Sequence, residues 1–150
     1  MSNTAIVLAF DFGASSGRAI RAVYDGQNLN YEEIHRFENI PIEKDGHLCW
    51  DVETLLKEIH TAIQKAGTFD SLGFDTWGVD FGLLDTDAHL LANPVHYRDA
   101  RTNGKPEQAA ARMPAEELYA HTGNQIMAIN TLFQLLALRE PVSYTHLTLP

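Results

Sequence analysis

Apolar residues run from Ala5 to Phe10, give way to Asp11 and a stretch of Gly, Ala and Ser, and resume from Ala19 to Tyr24. Two strand-like runs joined by small residues predict a β-hairpin. Asp25-Gly26 supplies a tight turn into a third strand, roughly Leu29 to Phe37, so the chain opens with an antiparallel meander. Residues 38–49, with Pro41, Asp45 and Gly46, read as loop with room for a short hairpin. The period then changes. Val52, Leu55, Leu56, Ile59, Ala62, Ile63 and Ala66 recur at helical spacing behind Asp51 as N-cap, and Gly67 closes the helix. His60 stands among polar neighbours and reads as a solvated helix residue. Ser71 to Thr76 reads as a short buried strand, so the order β-β-β-α-β predicts an α/β layout with a helix over a mixed sheet.

Beyond it, two strand-like runs flank Trp77-Gly78, and Asp85 to Leu91 reads as a hairpin turn with a returning strand. Asn93-Pro94 breaks the pattern, and the remainder is helical. Lys105 to Arg112 tolerates Pro106 in its first turn, and Pro114 opens a second helix at its N1 position, ending near His121-Thr122-Gly123. Asn130 or Thr131 caps a third, whose apolar side is Leu132, Phe133, Leu135, Leu136 and Leu138.

At 150 residues the length predicts one domain with a sizeable core. A formal net charge of −9 argues against non-specific nucleic-acid binding, which needs a basic surface. The single cysteine, Cys49, has no partner for an internal disulfide, which points to a reducing compartment. No apolar run approaches the roughly 20 residues of a membrane helix, and the N-terminus lacks the pattern of a signal peptide. These features predict a soluble, cytoplasmic protein that handles small molecules and binds neither nucleic acid nor membrane.

Three stretches carry candidate chemistry. In Asp11-Phe12-Gly13-Ala14-Ser15-Ser16-Gly17-Arg18, Gly13 and Gly17 can take φ > 0 and admit another group close to the backbone. Successive N–H groups and the Ser15 and Ser16 hydroxyls make an anion site there. Asp11 is placed to hold the hydrated magnesium of a nucleotide, and Arg18 to face phosphate oxygens. A plain turn, with Asp11 as its acceptor, explains the same residues. In the stretch 74–85, Asp75 ends a strand where α/β sheets place ligand groups. Trp77 offers a face for a sugar and the carboxylates at 75, 80 and 85 accept from hydroxyls. By spacing alone a hairpin with a buried aromatic and surface aspartates is the readier explanation, and a glycosidase pair can be drawn from the same carboxylates with nothing to fix its separation. The segment 95–104 concentrates Arg98, Asp99, Arg101 and Asn103, which suit hydroxyl or phosphate recognition or a loop with local ion pairs. His96 has no metal-ligand spacing.

Taken with Trp50-Asp51-Val52, these stretches resemble the FGGY carbohydrate kinases of the actin-like ATPase superfamily, and within them the branch that phosphorylates L-rhamnulose. The resemblance runs from about Ile6 to Glu140. It implies a ribonuclease-H-like N-terminal lobe of a two-lobed kinase, and MgATP-dependent transfer of a phosphoryl group to the 1-hydroxyl of L-rhamnulose. By motif, Ala14, Ser15, Ser16, Gly17 and Arg18 would contact ATP, and Asp11 would serve Mg2+ through water. Gly78 would meet the sugar through its backbone, with Trp77, Asp80 and Arg98 as further sugar ligands.

The chain also departs from the family. The family is longer, and its catalytic base, an aspartate in a His-Asp-Thr segment, has no match here, so no aspartate of this chain is assigned that role. Residues 141–150 do not follow the family pattern, read as a foreign tail, and give His146 no functional weight. The expectation is therefore residues 1–140 as an incomplete N-terminal lobe, inactive and loosely packed by itself. A kinase for another ketose or polyol, or a sugar- or nucleotide-binding module without catalysis, are the alternatives.

Overall fold

A computed structural model describes residues 4–139, so the tail at 141–150 lies outside the described residues. Where the length predicted one domain, the chain gathers into two compact units. One takes the described residues up to Ile42 together with Trp50–Gly78; the other takes Glu43–Cys49 and the described residues from Val79 onward.

The first unit is the α/β layout that the periodicity predicts. Strands β1 (Ala5–Phe12), β2 (Ser16–Tyr24) and β3 (Leu29–Glu38) form the meander. Strands β4 (Ile42–Lys44) and β5 (His47–Cys49) follow as a short hairpin, then helix α1 (Val52–Ala66) and strand β6 (Ser71–Thr76). The large sheet has the order β3-β2-β1-β6, with β1 and β6 parallel and the other pairs antiparallel. Antiparallel neighbours close through short turns, whereas the parallel pair needs a crossover, which α1 supplies.

Alternation along β1 sends Leu8 and Phe10 to one face, where they meet Ala19 of β2 and Ala62 and Ala66 of α1. The three alanines let the helix lie close on the sheet. At the helix start the Asp51 carboxylate accepts from Thr54 N at 3.1 Å, and at its end Gly67 takes φ 65°. The Arg21 Nε donates to the Ala66 carbonyl, satisfying a group that the last turn leaves open. His60 is exposed, as expected.

Two expectations fail here. Leu56 is 49% exposed rather than part of the packed stripe. The predicted buried strand is present as β6 but exposed at every residue. Its place explains this: β1 pairs with one edge, and none of the described residues pairs with the other.

In the second unit, β4 and β5 turn through Asp45 and Gly46, both at positive φ. A bridge joins Cys49 to Val95. The strand predicted after Gly78 does not form. Val79 takes φ 73° and its carbonyl accepts from the Thr131 hydroxyl, so the backbone polar groups go to side chains instead of a ladder. The expected hairpin is reduced to the Leu84–Leu90 bridge, with Leu91 N donating to Leu83 O and Asp85 N to His89 O, around a turn in which the Asp85 carboxylate accepts from Asp87 N and His89 N.

Helices α2 (Lys105–Ala110), α3 (Ala115–Thr122) and α4 (Thr131–Arg139) follow. Pro114 stands just before α3, at its cap rather than inside it. On α4 the buried residues are Phe133, Gln134 and Ala137; of the expected apolar side, Phe133 is buried and Leu136 and Leu138 are half-buried, while Leu132 and Leu135 are exposed.

Candidate functional site

In the first unit the site grows from the β1–β2 turn. The Gly13 N–H donates to Ser16 O at 2.8 Å and closes the loop. Asn39, buried just after β3, braces it from the other side: its N–H donates to Ser15 O and its side-chain amide to Gly13 O. Among the described residues, no backbone acceptor takes the N–H of Ala14 or Ser15. Neither Gly13 nor Gly17 uses the positive φ expected of it. Both positions demand space instead. A Cβ at Gly13 would sit 3.0 Å from Ser16 O, and one at Gly17 would overlap the Phe37 ring.

Asp11 and Arg18 are cross-strand partners in the β1–β2 register. The Arg18 Nε donates to Asp11 Oδ2 at 2.8 Å, and both side chains are a little under half exposed. An ion pair this exposed is worth about 0–1 kcal/mol, so little energy holds either group against an incoming anion or cation. Asp75 is the parallel partner of Asp11 on β6. Two carboxylates thus stand on neighbouring strands at the carboxyl end of a parallel pair, where α/β sheets place ligand groups.

Trp77 follows β6, and one of its faces is already covered. Its ring stacks on Trp50 with centroids 3.9 Å apart and 24° between planes. Trp50 is buried and fixes that stack. Gly78 is exposed, with nothing within 4 Å of where a Cβ would be.

In the second unit, Asp80 is bound by protein donors. Its Oδ1 accepts from Gln134 Nε2 at 2.7 Å, and its Oδ2 from Tyr97 N at 3.2 Å. Arg98 is exposed, with its guanidinium carbon 5.3 Å from the Tyr97 ring centroid. Asp99 and Arg101, read from the sequence as recognition residues, are internal struts. The Asp99 carboxylate accepts from Leu48 N, Arg101 N and His47 Nδ1, tying β5 to this segment. Arg101 donates to Gln134 Oε1 at 2.8 Å, while its buried Nε has no acceptor among the described residues. Burial, opposed by Asp99 and Asp80, pulls the Arg101 pKa down from its ordinary value.

Gln134 and Asn39 were missed at the sequence level. A glutamine inside Leu-Phe-Gln-Leu-Leu was the available signal for the first; the second had none stronger than an asparagine at a strand end.

His96 is 2% exposed and accepts from Arg98 N through Nδ1, so its proton resides on Nε2. Burial lowers its pKa; Asp80 opposes and Arg98 reinforces the shift. A histidine depressed in the folded state binds fewer protons than in the unfolded chain, whose value is 6.5. Its contribution to stability is therefore complete above pH 6.5 and drains away as pH falls below it. The urea midpoint should drop between pH 7.5 and 5.5, and by less in a His96→Gln variant.

The fold is one already seen in sugar-kinase lobes. A crystal structure of gluconate kinase from Lactobacillus acidophilus matches 92% of this chain with a TM-score of 0.74 at 17% identity, across 29% of that chain. The two chains share a fold, in keeping with the expected α/β lobe of mixed sheet and helices. The model of the N-terminal domain of the FGGY family of carbohydrate kinases matches residues 6–145, and the chain belongs to that family. Among curated relatives, it is 47% identical to a rhamnulokinase of Halalkalibacterium halodurans over 137 residues. It is 44% identical to one of Bacteroides thetaiotaomicron over 135 residues. These alignments take in 89% and 87% of the chain but 29% and 28% of the relatives, so the chain spans under a third of their length.

Proposed function

We propose that the complete gene product is a cytoplasmic kinase that transfers a phosphoryl group from MgATP to the 1-hydroxyl of L-rhamnulose. The 41–47% identity to relatives named rhamnulokinase supports this sugar over others of the family. The loop geometry supports the phosphate role. Its braced turn leaves the Ala14 and Ser15 N–H groups without backbone acceptors, and the tight space at Gly13 suits a backbone that must curve around an anion.

In this reading Ala14, Ser15, Ser16 and Gly17 cradle the nucleotide phosphates, and Arg18 leaves Asp11 to face them. Asp11 would then be the residue that holds Mg2+. Bound MgATP supplies the transferable group and the metal charge that offsets its oxygens. Gly78 presents its backbone to the sugar, Trp77 adds the edge that Trp50 leaves uncovered, and Asp80 and Arg98 bound the sugar side. In phosphoryl transfer the protein mainly positions groups and neutralises charge, which suits a loop of donors. Residues 1–140 are the N-terminal lobe in this reading, and the aspartate base is expected outside them.

ADP release by the complete gene product, with MgATP and a panel of ketoses and polyols, tests the proposal. Turnover selective for L-rhamnulose is expected, and Asp11→Asn should lower kcat by about 100-fold. The melting temperature should hardly move, because the Asp11–Arg18 pair is exposed. Selectivity for another sugar would overturn the substrate, and no turnover would overturn the kinase reading.

A further inference from the structure

We infer that Gln134 is a positioning residue for sugar recognition, acting through the Val79 peptide and the Asp80 carboxylate. The inference rests on the kinase reading above, in which Gly78 and Asp80 belong to the sugar side.

Gln134 is 1% exposed on a helix whose neighbouring residues are apolar. A buried amide costs stability unless its groups are satisfied, and here they are. Its Nε2 lies 2.7 Å from Asp80 Oδ1, 3.0 Å from Ile129 O and 3.3 Å from Val79 O. Its Oε1 accepts from the Arg101 guanidinium. The partners fix the amide's orientation. Turned over, it would put an NH2 group against a guanidinium and an oxygen against a carboxylate. Arg101, a cation that only donates, therefore sets which face of Gln134 reaches Asp80 and Val79.

What is held is strained. Val79 takes φ 73°, a region that a β-branched residue almost never enters. Such a conformation persists only where surrounding contacts over-determine it. Those contacts are the Thr131 hydroxyl, 2.7 Å from Val79 O, and Gln134. The φ of Val79 sets the plane of the Gly78–Val79 peptide, and hence the direction of the Gly78 carbonyl and the Val79 N–H. At the residue bonded to Gly78, a strained backbone is thus held through its carbonyl by two side chains of α4.

Two variants of the complete gene product separate this role from plain support. Gln134→Glu keeps an acceptor for Arg101 but loses the three contacts donated by Nε2 and sets a second carboxylate beside Asp80. Val79→Gly makes φ 73° unstrained and frees the peptide to turn. Both should raise KM for L-rhamnulose at least tenfold, with KM for ATP within twofold of wild type. Both should also speed amide hydrogen exchange at residues 79–81 about tenfold, leaving α3 unchanged. Unaltered exchange at 79–81, or KM for both substrates rising together, would overturn the inference. So would a lower melting temperature with unaltered sugar KM. A wild type that turns over no ketose overturns the kinase reading instead, and the exchange rates still decide whether Gln134 holds the Val79 peptide.

Discussion

Asp99→Ala should lower the stability of the second unit by about 3–4 kcal/mol, measured as the shift in urea midpoint. Asp99 is 8% exposed, and its carboxylate carries three donors: Leu48 N at 2.7 Å, Arg101 N at 2.9 Å and His47 Nδ1 at 3.1 Å. Burial alone would push its pKa up. The donated hydrogen bonds from Leu48, Arg101 and His47 outweigh that and hold it below its ordinary 3.8. Hydrogen bonds to a charged group contribute about 1.5–3 kcal/mol each, and their loss strands buried N–H groups. Asp99→Asn keeps one accepting oxygen and should cost roughly half as much. Since the folded-state pKa is depressed, the carboxylate's contribution is complete above pH 3.8 and lost as pH falls through the lower folded value. A midpoint for Asp99→Ala within 0.5 kcal/mol of wild type would show that the strut carries no weight.

Gly17→Ala should cost about 3 kcal/mol by overpacking rather than by any change in the turn. The added Cβ would lie under 3.0 Å from three carbons of the Phe37 ring. Phe37 is buried and flanked by the rings of Phe12 and His35, each with centroids 5.8 Å away, so it has little room to swing aside. Overpacking of a close-packed site typically costs 1–3 kcal/mol, and a position between two paired strands belongs at the upper end. The diagnostic is the double variant with Phe37→Leu. If the clash is the cause, the pair should be more stable than Gly17→Ala alone, although Phe37→Leu by itself removes apolar contacts. A purely additive pair would point to the backbone of Gly17 instead.

Much of the first unit was legible because its signals are local. The meander, α1 with its Asp51 cap, and the Gly67 stop all follow from period and end residues within a few positions of one another. β6 was found but misplaced in depth, since a short run such as Ser-Leu-Gly-Phe-Asp-Thr looks alike whether one or two strands flank it. The glycines of the turn were marked as special for the wrong reason: the ring that excludes a side chain at position 17 comes from position 37. In the second unit, Asp80 and Asp99 were noticed as carboxylates, yet their donors include Gln134, Tyr97, Leu48 and His47, all distant in sequence. Those pairings depend on tertiary placement, and a glutamine among leucines is a faint sign of a buried network. Reading the β1–β2 turn as a candidate phosphate loop needed the motif set as a whole, because its residues taken singly make an ordinary turn.

The stacked pair of Trp50 and Trp77 gives the molecule an intrinsic optical reporter. They are its only two tryptophans, and both belong to the first unit. Two indoles so close couple electronically and should produce a paired near-ultraviolet circular dichroism signal that neither gives alone. That signal, and tryptophan emission, will follow the end of β6 and remain blind to unfolding confined to the helices of the second unit. The two units can thus be watched separately in one unlabelled sample, indole light for one and far-ultraviolet ellipticity for the sum.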